Sequence, residues 1–346
     1  MNPYAKLVSL FSIILGSTIT MSSTHWILAW AGLEINTLAV IPLISKSHHP
    51  RAVEATIKYF LVQASASTLI LFSSMSNAWY TGQWDITELN NPLSSLLLTT
   101  AIAMKLGLVP FHFWLPEVLQ GSSLPTGLLL STLIKLPPLT IFTLISPSLN
   151  PTILTLLAIA SALLGGWMGL NQTQIRKILA FSSISHLGWM CIIITYNPKL
   201  TILTFSFYTL ITASAFLSLN TINTTNIPTL MTSWTKTPTL NASLMLTLLS
   251  LAGLPPLSGF LPKWMILQEL VNQELTPTAI IISMLSLLGL FFYLRLAYYA
   301  TITLPPNTTN HMKHWYINKT SYTYTSIFSS FSITLLPLSP LILTMV

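Results

Sequence analysis

The stretch AMKLGLVPFHFWLP, residues 103–116, decides the fold, because it places a cation and helix-breaking residues inside an apolar run. Lys105 is followed by Gly107, Pro110 and His112. Glycine weakens a helix and proline interrupts it, and each interruption frees backbone groups that need new partners. Within a membrane, such a break is tolerated only where it is buried in protein or lines a water-filled cavity. The stretch therefore predicts a broken membrane helix that carries a functional charge.

The composition of the whole chain is that of a membrane protein. Only 6% of the 346 residues are charged and 52% are hydrophobic, whereas soluble domains carry about 25% charged residues. The apolar runs are rich in Leu, Ile and Met and are longer than the alternating strands of about ten residues that build a β-barrel. The expected fold class is an all-α polytopic membrane protein surrounded by the lipid bilayer.

Several classes of site and partner are excluded by what the sequence lacks. The net charge of +7 is spread over short loops and apolar helices, which argues against a nucleic-acid surface. The one cysteine, Cys191, cannot form an internal disulfide or a CxxC site. The sequence contains no cysteine cluster, no GxGxxG motif and no P-loop. We therefore expect no metal, redox cofactor or soluble substrate on this chain.

The hydropathy pattern predicts about eleven transmembrane helices in a single transmembrane domain, residues 1–346. Each crossing needs about 20 apolar residues. The predicted spans are 3–21, 25–44, 55–76, 93–113, 122–145, 150–170, 175–195, 200–222, 240–270, 277–300 and 324–344. The ninth span is too long for one straight crossing and is expected to form two half-helices around GLPPLSGF, residues 253–260.

The distribution of charge between loops predicts the orientation. The even-numbered loops carry the basic residues Lys46, Arg51, Arg176, Lys177, Lys236, Lys313 and Lys319. The odd-numbered loops carry Asp85, Glu88 and Glu274, with Lys199 as their main cation. The positive-inside rule then places the even loops and the N-terminus toward the cytoplasm or, in a mitochondrion, the matrix. The first apolar segment is expected to be a retained helix, and no Arg-rich presequence is visible.

Four ionisable residues fall well inside the predicted spans: Glu34, Lys105, Lys135 and Lys263. A charge at a helix centre costs about 2.5–3.5 kcal/mol, so such residues are functional candidates. Burial disfavours a charged lysine and a nearby carboxylate favours it, and a row of such groups joined by water can relay protons. Structural alternatives remain open: Lys105 could bind freed carbonyls, Glu34 could form a structural ion pair, and Lys263 could anchor a loop end.

Two histidines and Glu117 are weaker candidates. His112 and His186 titrate near neutral pH and can pass protons between their ring nitrogens, but either could be a hydrogen-bonded packing residue. Glu54 and Lys58 are spaced as a local helical pair. Glu117 follows the first break and is more readily explained as a helix-end residue than as a functional one.

The two predicted breaks share a pattern that suggests an inverted repeat. The sequences KLGLVPFHFWLP and LAGLPPLSGFLPKW each contain Gly-Leu, prolines, an aromatic residue and Leu-Pro beside a lysine. They lie five spans apart, and an odd separation makes the two copies run in opposite directions. We expect one repeat at about 3–145, a second at about 150–300, and an extra C-terminal helix at about 324–344.

Six motifs resemble one known family along the whole chain. MNPY, WAGLEINTLAVIPLI, KYFLVQASAS, AMKLGLVPFHFWLPEVLQG, FSSISHLGWM and LAGLPPLSGFLPKW resemble the subunit 2 family of mitochondrial NADH:ubiquinone oxidoreductase, respiratory complex I. The resemblance implies an antiporter-like subunit of the proton-pumping membrane arm, located in the mitochondrial inner membrane and packed against other membrane-arm subunits. It also implies that NADH, FMN, iron–sulfur clusters and ubiquinone bind to other subunits.

The resemblance implies a role for five residues. The family's glutamate–lysine pair falls on Glu34 and Lys105, its central lysine on Lys135, and the lysine of its second broken helix on Lys263. His186 lies where the family has a polar residue on the connecting water path. Two other functions stay open: a stand-alone cation/proton antiporter, which would be expected to carry more mid-membrane carboxylates, and a structural scaffold, which would tolerate neutral substitutes for the lysines.

Overall fold

The protein is helical almost throughout the part of the chain that the structure describes. The structure is a computed structural model, and it describes residues 3–45, 49–234, 237–301 and 323–339. Its helices are α1 (Pro3–Ser22), α2 (Trp26–Ile44), α3 (Pro50–Thr81), α4 (Pro92–Leu106), α5 (Trp114–Gly121), α6 (Leu124–Ser131), α7 (Leu136–Leu144), α8 (Pro151–Gly169), α9 (Ile175–Ile193), α10 (Pro198–Ile222), α11 (Ile227–Ser233), α12 (Pro238–Ala252), α13 (Phe260–Asn272), α14 (Thr276–Thr301) and α15 (Thr323–Thr334). The predicted all-α fold is confirmed.

The helices follow the predicted spans closely. Seven helical stretches among the described residues are long and apolar enough to cross a membrane, and α4 and α12 are shorter apolar helices. Each predicted span contains at least one helix, and α11 adds a short helix in the loop before α12. The last residues of span 324–344 lie outside the described residues, as do Lys46, Lys236, Lys313 and Lys319.

Both predicted breaks are present, and each begins at a glycine. Gly107 ends α4 with φ 77° and Gly253 ends α12 with φ 82°, and the chain becomes helical again at α5 and α13 respectively. A positive φ is the left-handed conformation that glycine adopts without a steric cost and that commonly ends a helix. Glycine at these two positions therefore fixes where each membrane helix stops.

A third interruption lies where a continuous span, 122–145, was predicted. α6 ends at Ser131, a 3₁₀ turn covers Leu133–Lys135, and α7 begins at Leu136. The cause is the pair Pro137 and Pro138 in the first turn of α7, because proline has no N–H to bond the carbonyl four residues earlier. This pair was the sequence signal for an interruption that the hydropathy pattern did not reveal.

The chain divides into two compact units. Unit 1 comprises Met1–Ser161 and Met190–Thr201, and unit 2 comprises Ala162–Trp189 and Ile202–Val346. Of the candidate residues, Glu34, Lys105, His112 and Lys135 belong to unit 1, while His186 and Lys263 belong to unit 2. The inverted repeat stays a prediction.

In unit 1, α1 and α2 pack with their backbones in contact. A Cβ atom on Gly16 would fall on the Asn36 amide oxygen and lie 2.8 Å from the Gly32 carbonyl oxygen. A Cβ atom on Gly32 would lie 2.6 Å from Cγ2 of Thr20 and 2.8 Å from the Gly16 carbonyl oxygen. Small residues permit this close approach, which in a membrane supplies the packing that holds helices together.

Helix α3 turns a polar face toward the interior of unit 1, where it packs against α2, α4 and α5. The buried polar residues of α3 are Thr56, Tyr59, Gln63, Ser67, Ser73, Ser74 and Asn77. The opposite face exposes apolar residues such as Leu61, Phe72 and Trp79. Because lipid solvates only the apolar face, this distribution orients α3 with its hydrogen-bonding groups toward the candidate site.

In unit 2, a charged residue in α14 caps the end of α8. The Arg295 guanidinium donates hydrogen bonds to the carbonyl of Leu170 and, at 2.9 Å, to that of Gln172. A cation near a helix C-terminus satisfies free carbonyls and interacts favourably with the helix dipole. Arg295 is thus a further charge within a predicted span, and these contacts give it a structural role.

The α1–α2 contact predicts a matched pair of glycine effects. Gly16→Ala should destabilise the protein by about 1–3 kcal/mol, because the new methyl group forces the two backbones apart. Gly289→Ala, in the middle of α14, is the control: its Cβ would come no nearer than 3.9 Å to another atom, and it should be neutral or stabilise by about 0.4–1 kcal/mol. Thermal unfolding in detergent checks this, and equal melting temperatures for the two variants would contradict it.

Candidate functional site

The first candidate group, Lys105, lies buried at the end of α4, with only 4% of its surface exposed. The carbonyls that the break frees nearby have other donors. The Met104 carbonyl accepts from the indole N–H of Trp114 at 3.2 Å, and the Lys105 carbonyl accepts from the Gln63 amide at 3.4 Å. The Lys105 amine has no hydrogen-bond partner in the described part of the chain. One alternative for Lys105 was that it binds the carbonyls freed by the break. In the structure, Trp114 and Gln63 bind these carbonyls instead.

Glu34 is the acidic group that acts on Lys105. It lies on α2, is partly buried, and has one carboxylate oxygen, Oε2, buried without a hydrogen-bond partner among the described residues. The charge of Glu34 acts on Lys105 through space, and the Lys105 amine donates no hydrogen bond to it. The two residues predicted as a pair thus interact electrostatically without a direct hydrogen bond.

His112 lies within the first break, between α4 and α5. Its side chain is 1% exposed, and its ring centroid lies 4.2 Å from that of Phe113. Both ring nitrogens are buried without a hydrogen-bond partner among the described residues. These contacts place His112 inside the interruption, next to backbone that is not hydrogen-bonded in a helix.

Lys135 is the last residue of the 3₁₀ turn in the third interruption and is 2% exposed. Its backbone N–H donates to the Thr132 carbonyl at 3.2 Å, and the Thr132 hydroxyl donates to the Leu128 carbonyl at 2.7 Å. Local groups therefore satisfy part of the backbone around the interruption. The long side chain of Lys135 is enclosed in unit 1 and does not reach the surface of the protein.

In unit 2, Lys263 bridges the second break. It lies at the start of α13, and its ammonium donates a 2.6 Å hydrogen bond to the carbonyl of Ala252, the last residue of α12. The same nitrogen lies 5.8 Å from the centroid of the Trp189 ring. A helix C-terminus and an aromatic face each stabilise a positive charge. This hydrogen bond across the interruption is the contact that the loop-anchor alternative for Lys263 predicts.

His186 shares a small cavity with Lys263. The cavity measures about 20 Å³ in the space open to the centres of water molecules, and one water needs roughly 10–15 Å³ by this measure. The residues that line it are Ala162, Ser185, His186, Trp189, Leu251, Ala252, Lys263, Leu285, Ser286, Gly289 and Tyr293. The ring of His186 also lies 5.4 Å from that of Tyr208. The lining is mixed, with apolar side chains beside Ser185, Ser286, His186 and Lys263, and a water held by these polar groups can pass protons between the imidazole and the amine.

The weaker acidic candidates form an exposed cluster. Lys58 pairs with Glu54 on its own helix, as expected, and also with Glu117 on α5, at 2.5 Å. The three side chains are between 40% and 61% exposed, and exposed ion pairs stabilise proteins by only about 0–1 kcal/mol. The cluster joins α3 to α5. The structure therefore gives Glu117 a role in docking α5 against α3.

Metal chemistry has no visible site in the described residues. No group of three or more His, Cys, Asp or Glu side chains among them could hold a metal ion. Cys191 is a buried free thiol.

The sequence analysis missed three residues that shape the Lys105 site: Tyr59, Gln63 and Trp114. Tyr59 and Gln63 are one helical turn apart on the buried face of α3, and Trp114 begins α5. The available signal was a run of polar residues at spacings of three and four in an apolar helix, which marks a face that avoids lipid.

Family comparison covers nearly the whole chain. Residues 23–289 match the family described as NADH:quinone oxidoreductase/Mrp antiporter, TM, and residues 290–343 match the family described as NADH dehydrogenase subunit 2 C-terminus. The first match alone spans well over half of the 346 residues.

Similar proteins and structures agree with this match. The chain is 74% identical over 343 residues to NADH-ubiquinone oxidoreductase chain 2 of Struthio camelus, covering 99% of both chains. It is 72% identical over 345 residues to the same protein of Gallus gallus, covering 100% of both. The structure resembles a chain of respiratory complex I from Thermus thermophilus, with a TM-score of 0.84, 25% identity, and coverage of 97% of this chain and 80% of that one.

The fold also extends to an antiporter assembly. A chain of the Mrp complex from Dietzia sp. DQ12-45-1b superimposes with a TM-score of 0.83 at 17% identity, covering 97% of this chain and 76% of that one. At this identity the likeness establishes the antiporter-like fold alone. With the two family matches and relatives that are 74% and 72% identical over nearly the full length, the chain belongs to the NADH-ubiquinone oxidoreductase chain 2 family, within the NADH:quinone oxidoreductase/Mrp antiporter transmembrane proteins.

Proposed function

We propose that this chain conducts protons across the mitochondrial inner membrane as an antiporter-like subunit in the membrane arm of NADH:ubiquinone oxidoreductase. Its path consists of buried titratable groups, namely Glu34, Lys105, Lys135 and Lys263, with His112 and His186 as additional groups. The family and the names of the relatives support the assignment to complex I. The residues of the path are inferred from their geometry.

One observation carries the proposal: every candidate lysine lies at an interruption of a membrane helix. Lys105 is two residues before Gly107, Lys135 ends the 3₁₀ turn, and Lys263 binds across the break that begins at Gly253. If the lysines were distributed by chance along the helices, they would not be expected to coincide with three short interruptions. The coincidence indicates that charge and interruption act together.

The physical reason is that an interruption supplies what a buried lysine needs to exchange protons. Backbone groups released from the helix can hold water inside the membrane, and such segments are tolerated only within protein or beside a cavity. A buried lysine can exist as a neutral amine or as an ammonium. A nearby charged partner shifts the balance between these two protonation states. Glu34 provides that partner for Lys105, and the water-sized cavity provides a route between Lys263 and His186.

The energy for pumping arises elsewhere in the assembly. In this proposal NADH, FMN, the iron–sulfur clusters and ubiquinone are bound by other subunits, and neighbouring membrane-arm subunits transmit the redox energy to this chain. The basic even-numbered loops support an N-terminus that faces the matrix.

An inverted five-helix repeat is part of the proposal. The repeats run from about 3 to 145 and from about 150 to 300, with an extra helix at about 324–344. Gly107 and Gly253 occupy the same place in the two motifs, and both end a helix with positive φ. This shared local geometry supports the repeat.

The central test replaces the titrating group of Lys135. In assembled complex I, Lys135→Met keeps the length and apolarity of the side chain but removes its proton, and coupled NADH oxidation and proton pumping should fall at least about 100-fold, within the range for loss of a positioned acid–base group. Lys199→Met removes an exposed lysine and is the control. Assembly with normal pumping in both variants would contradict the proposal and favour the scaffold function.

A second test moves Lys263 without removing it. A Cβ atom on Gly253 would lie 2.9 Å from Lys263 Nζ and 2.9 Å from its Cδ. Gly253→Ala should therefore push the ammonium from the Ala252 carbonyl and lower coupled turnover roughly ten- to hundredfold, as expected for a misplaced group.

Gly82→Ala is the matched control for this test. Gly82 has φ 73°, and its Cβ would meet no atom within 4 Å. Both substitutions introduce similar backbone strain of about 1–2 kcal/mol, but only the first disturbs a candidate residue. Equal pumping rates in the two variants would show that the position of Lys263 does not matter.

A further inference from the structure

Tyr59 is a buried polar residue that none of the assigned roles uses. It lies on the inward face of α3 with 0% of its surface exposed, and its hydroxyl has no hydrogen-bond partner in the described part of the chain. Its ring packs edge-on against Trp114, with centroids 5.8 Å apart and an interplanar angle of 63°. The ring thus has a packing role, whereas the hydroxyl has none.

The position of Tyr59 along its helix places it at the level of Glu34. α2 ends at Ile44 and α3 begins at Pro50, so at 1.5 Å per residue both side chains lie about 14 Å from the connection between the helices. The charge of Glu34 acts on the Tyr59 hydroxyl, as it does on Lys105. These observations place the hydroxyl in the electrostatic field of the Glu34 carboxylate.

Tyr59 also lies near Lys105 through Gln63. Gln63 is one turn further along the same face of α3, and its amide donates to the Lys105 carbonyl. Trp114, which contacts the Tyr59 ring, donates to the adjacent Met104 carbonyl. Two side chains that neighbour Tyr59 therefore hold the end of α4 that carries Lys105.

The buried polar atoms without a hydrogen-bond partner among the described residues include three that belong to Glu34 and its two electrostatic neighbours: Glu34 Oε2, the Tyr59 hydroxyl and Lys105 Nζ. Buried polar atoms of this kind are normally paired with protein or with ordered water, and a buried water typically makes about three hydrogen bonds. The three atoms comprise an acceptor, a donor–acceptor and a donor. Their chemistry is that of a site that binds water.

We propose that the Tyr59 hydroxyl is a proton-relay group that, together with bound water, connects Lys105 to Glu34. The inference rests on the proposed function, since it adds a third member to the Glu34–Lys105 pair of the proton path.

The relay conserves protons and leaves the tyrosine unchanged. The Lys105 ammonium gives a proton to one water, which gives one to the Tyr59 oxygen, and the Tyr59 hydroxyl gives its own proton to a second water, which gives one to the Glu34 carboxylate. The net change converts an ammonium and a carboxylate into an amine and a carboxylic acid. The reverse sequence resets the site, and Tyr59 is a neutral phenol before and after each transfer.

The test removes one oxygen atom. Tyr59→Phe in assembled complex I keeps the ring against Trp114, so assembly should be unaffected, and deleting an unpaired buried hydroxyl should not destabilise the fold. Coupled NADH oxidation and proton pumping should fall about 100-fold or more, within the range for a missing proton-transfer group. Tyr80→Phe, on the same helix at a position 75% exposed, is the control and should behave as the unmodified chain.

A double variant shows whether Tyr59 acts through Lys105. If the two residues form one relay, Tyr59→Phe combined with Lys105→Met should be no slower than Lys105→Met alone, because groups that act as a unit are not additive. Multiplied effects would instead indicate two separate roles and would overturn the relay.

The outcome also separates this inference from the proposed function. Normal pumping in Tyr59→Phe, with pumping lost in Lys135→Met, would overturn the relay and leave the proton path intact. Normal pumping in both variants would overturn the proposed function itself.

Discussion

The structure depends on one constraint: a polar group inside a bilayer must find its partner within the protein. An unbroken helix satisfies its own backbone, so each interruption creates a local demand for donors and acceptors. Among the described residues the chain meets this demand with other parts of itself, at Gly107, at the turn before Pro137 and at Gly253. The candidate lysines lie at these same places.

The two glycine-initiated breaks are satisfied in different ways, and the difference has consequences for charge. In unit 1, Gln63 and Trp114 bind the carbonyls at the end of α4, which leaves the Lys105 amine without a hydrogen bond. In unit 2, the Lys263 ammonium itself binds the end of α12. Proton release from Lys105 therefore breaks no hydrogen bond to backbone, whereas release from Lys263 weakens its hydrogen bond to the Ala252 carbonyl, because a neutral amine is a weaker donor than an ammonium.

Residue Glu117 shows the same constraint acting on the repeat motif. Glu117 follows the proline of the first Leu-Pro motif, and Lys263 follows the proline of the second, so the two residues occupy equivalent positions. A carboxylate is repelled by the negative end of a helix dipole and cannot donate to a carbonyl. In unit 1 this side chain pairs with Lys58 on α3 instead. The repeated position is thus used for helix docking in one unit and for capping across the break in the other.

Much of the fold was predictable because membrane composition, apolar length and glycine–proline breaks are properties of short sequence windows. The break at Gly107 and its lysine were evident in the stretch 103–116. The interruption before Pro137 was harder to predict, since two prolines can also begin a helix.

The partners of Lys105 were not predictable in the same way. Tyr59 and Gln63 lie more than 40 residues earlier in the chain, and only the packing of α3 against α4 and α5 brings them to the site. Contacts of this kind depend on which face of each helix is buried. A local motif carries little information about that face.

The account requires the interruption as well as the lysine, and restoring a continuous helix around Lys135 tests this most directly. The measurement is the number of protons pumped per NADH by assembled complex I carrying Pro137→Leu and Pro138→Leu, with Lys135 unchanged. The account predicts that pumping falls, because a continuous helix would satisfy the freed backbone groups and leave the lysine without backbone groups that can hold water. An unchanged number of protons per NADH would contradict this prediction. It would indicate that the lysines lie at helix breaks for reasons of packing alone.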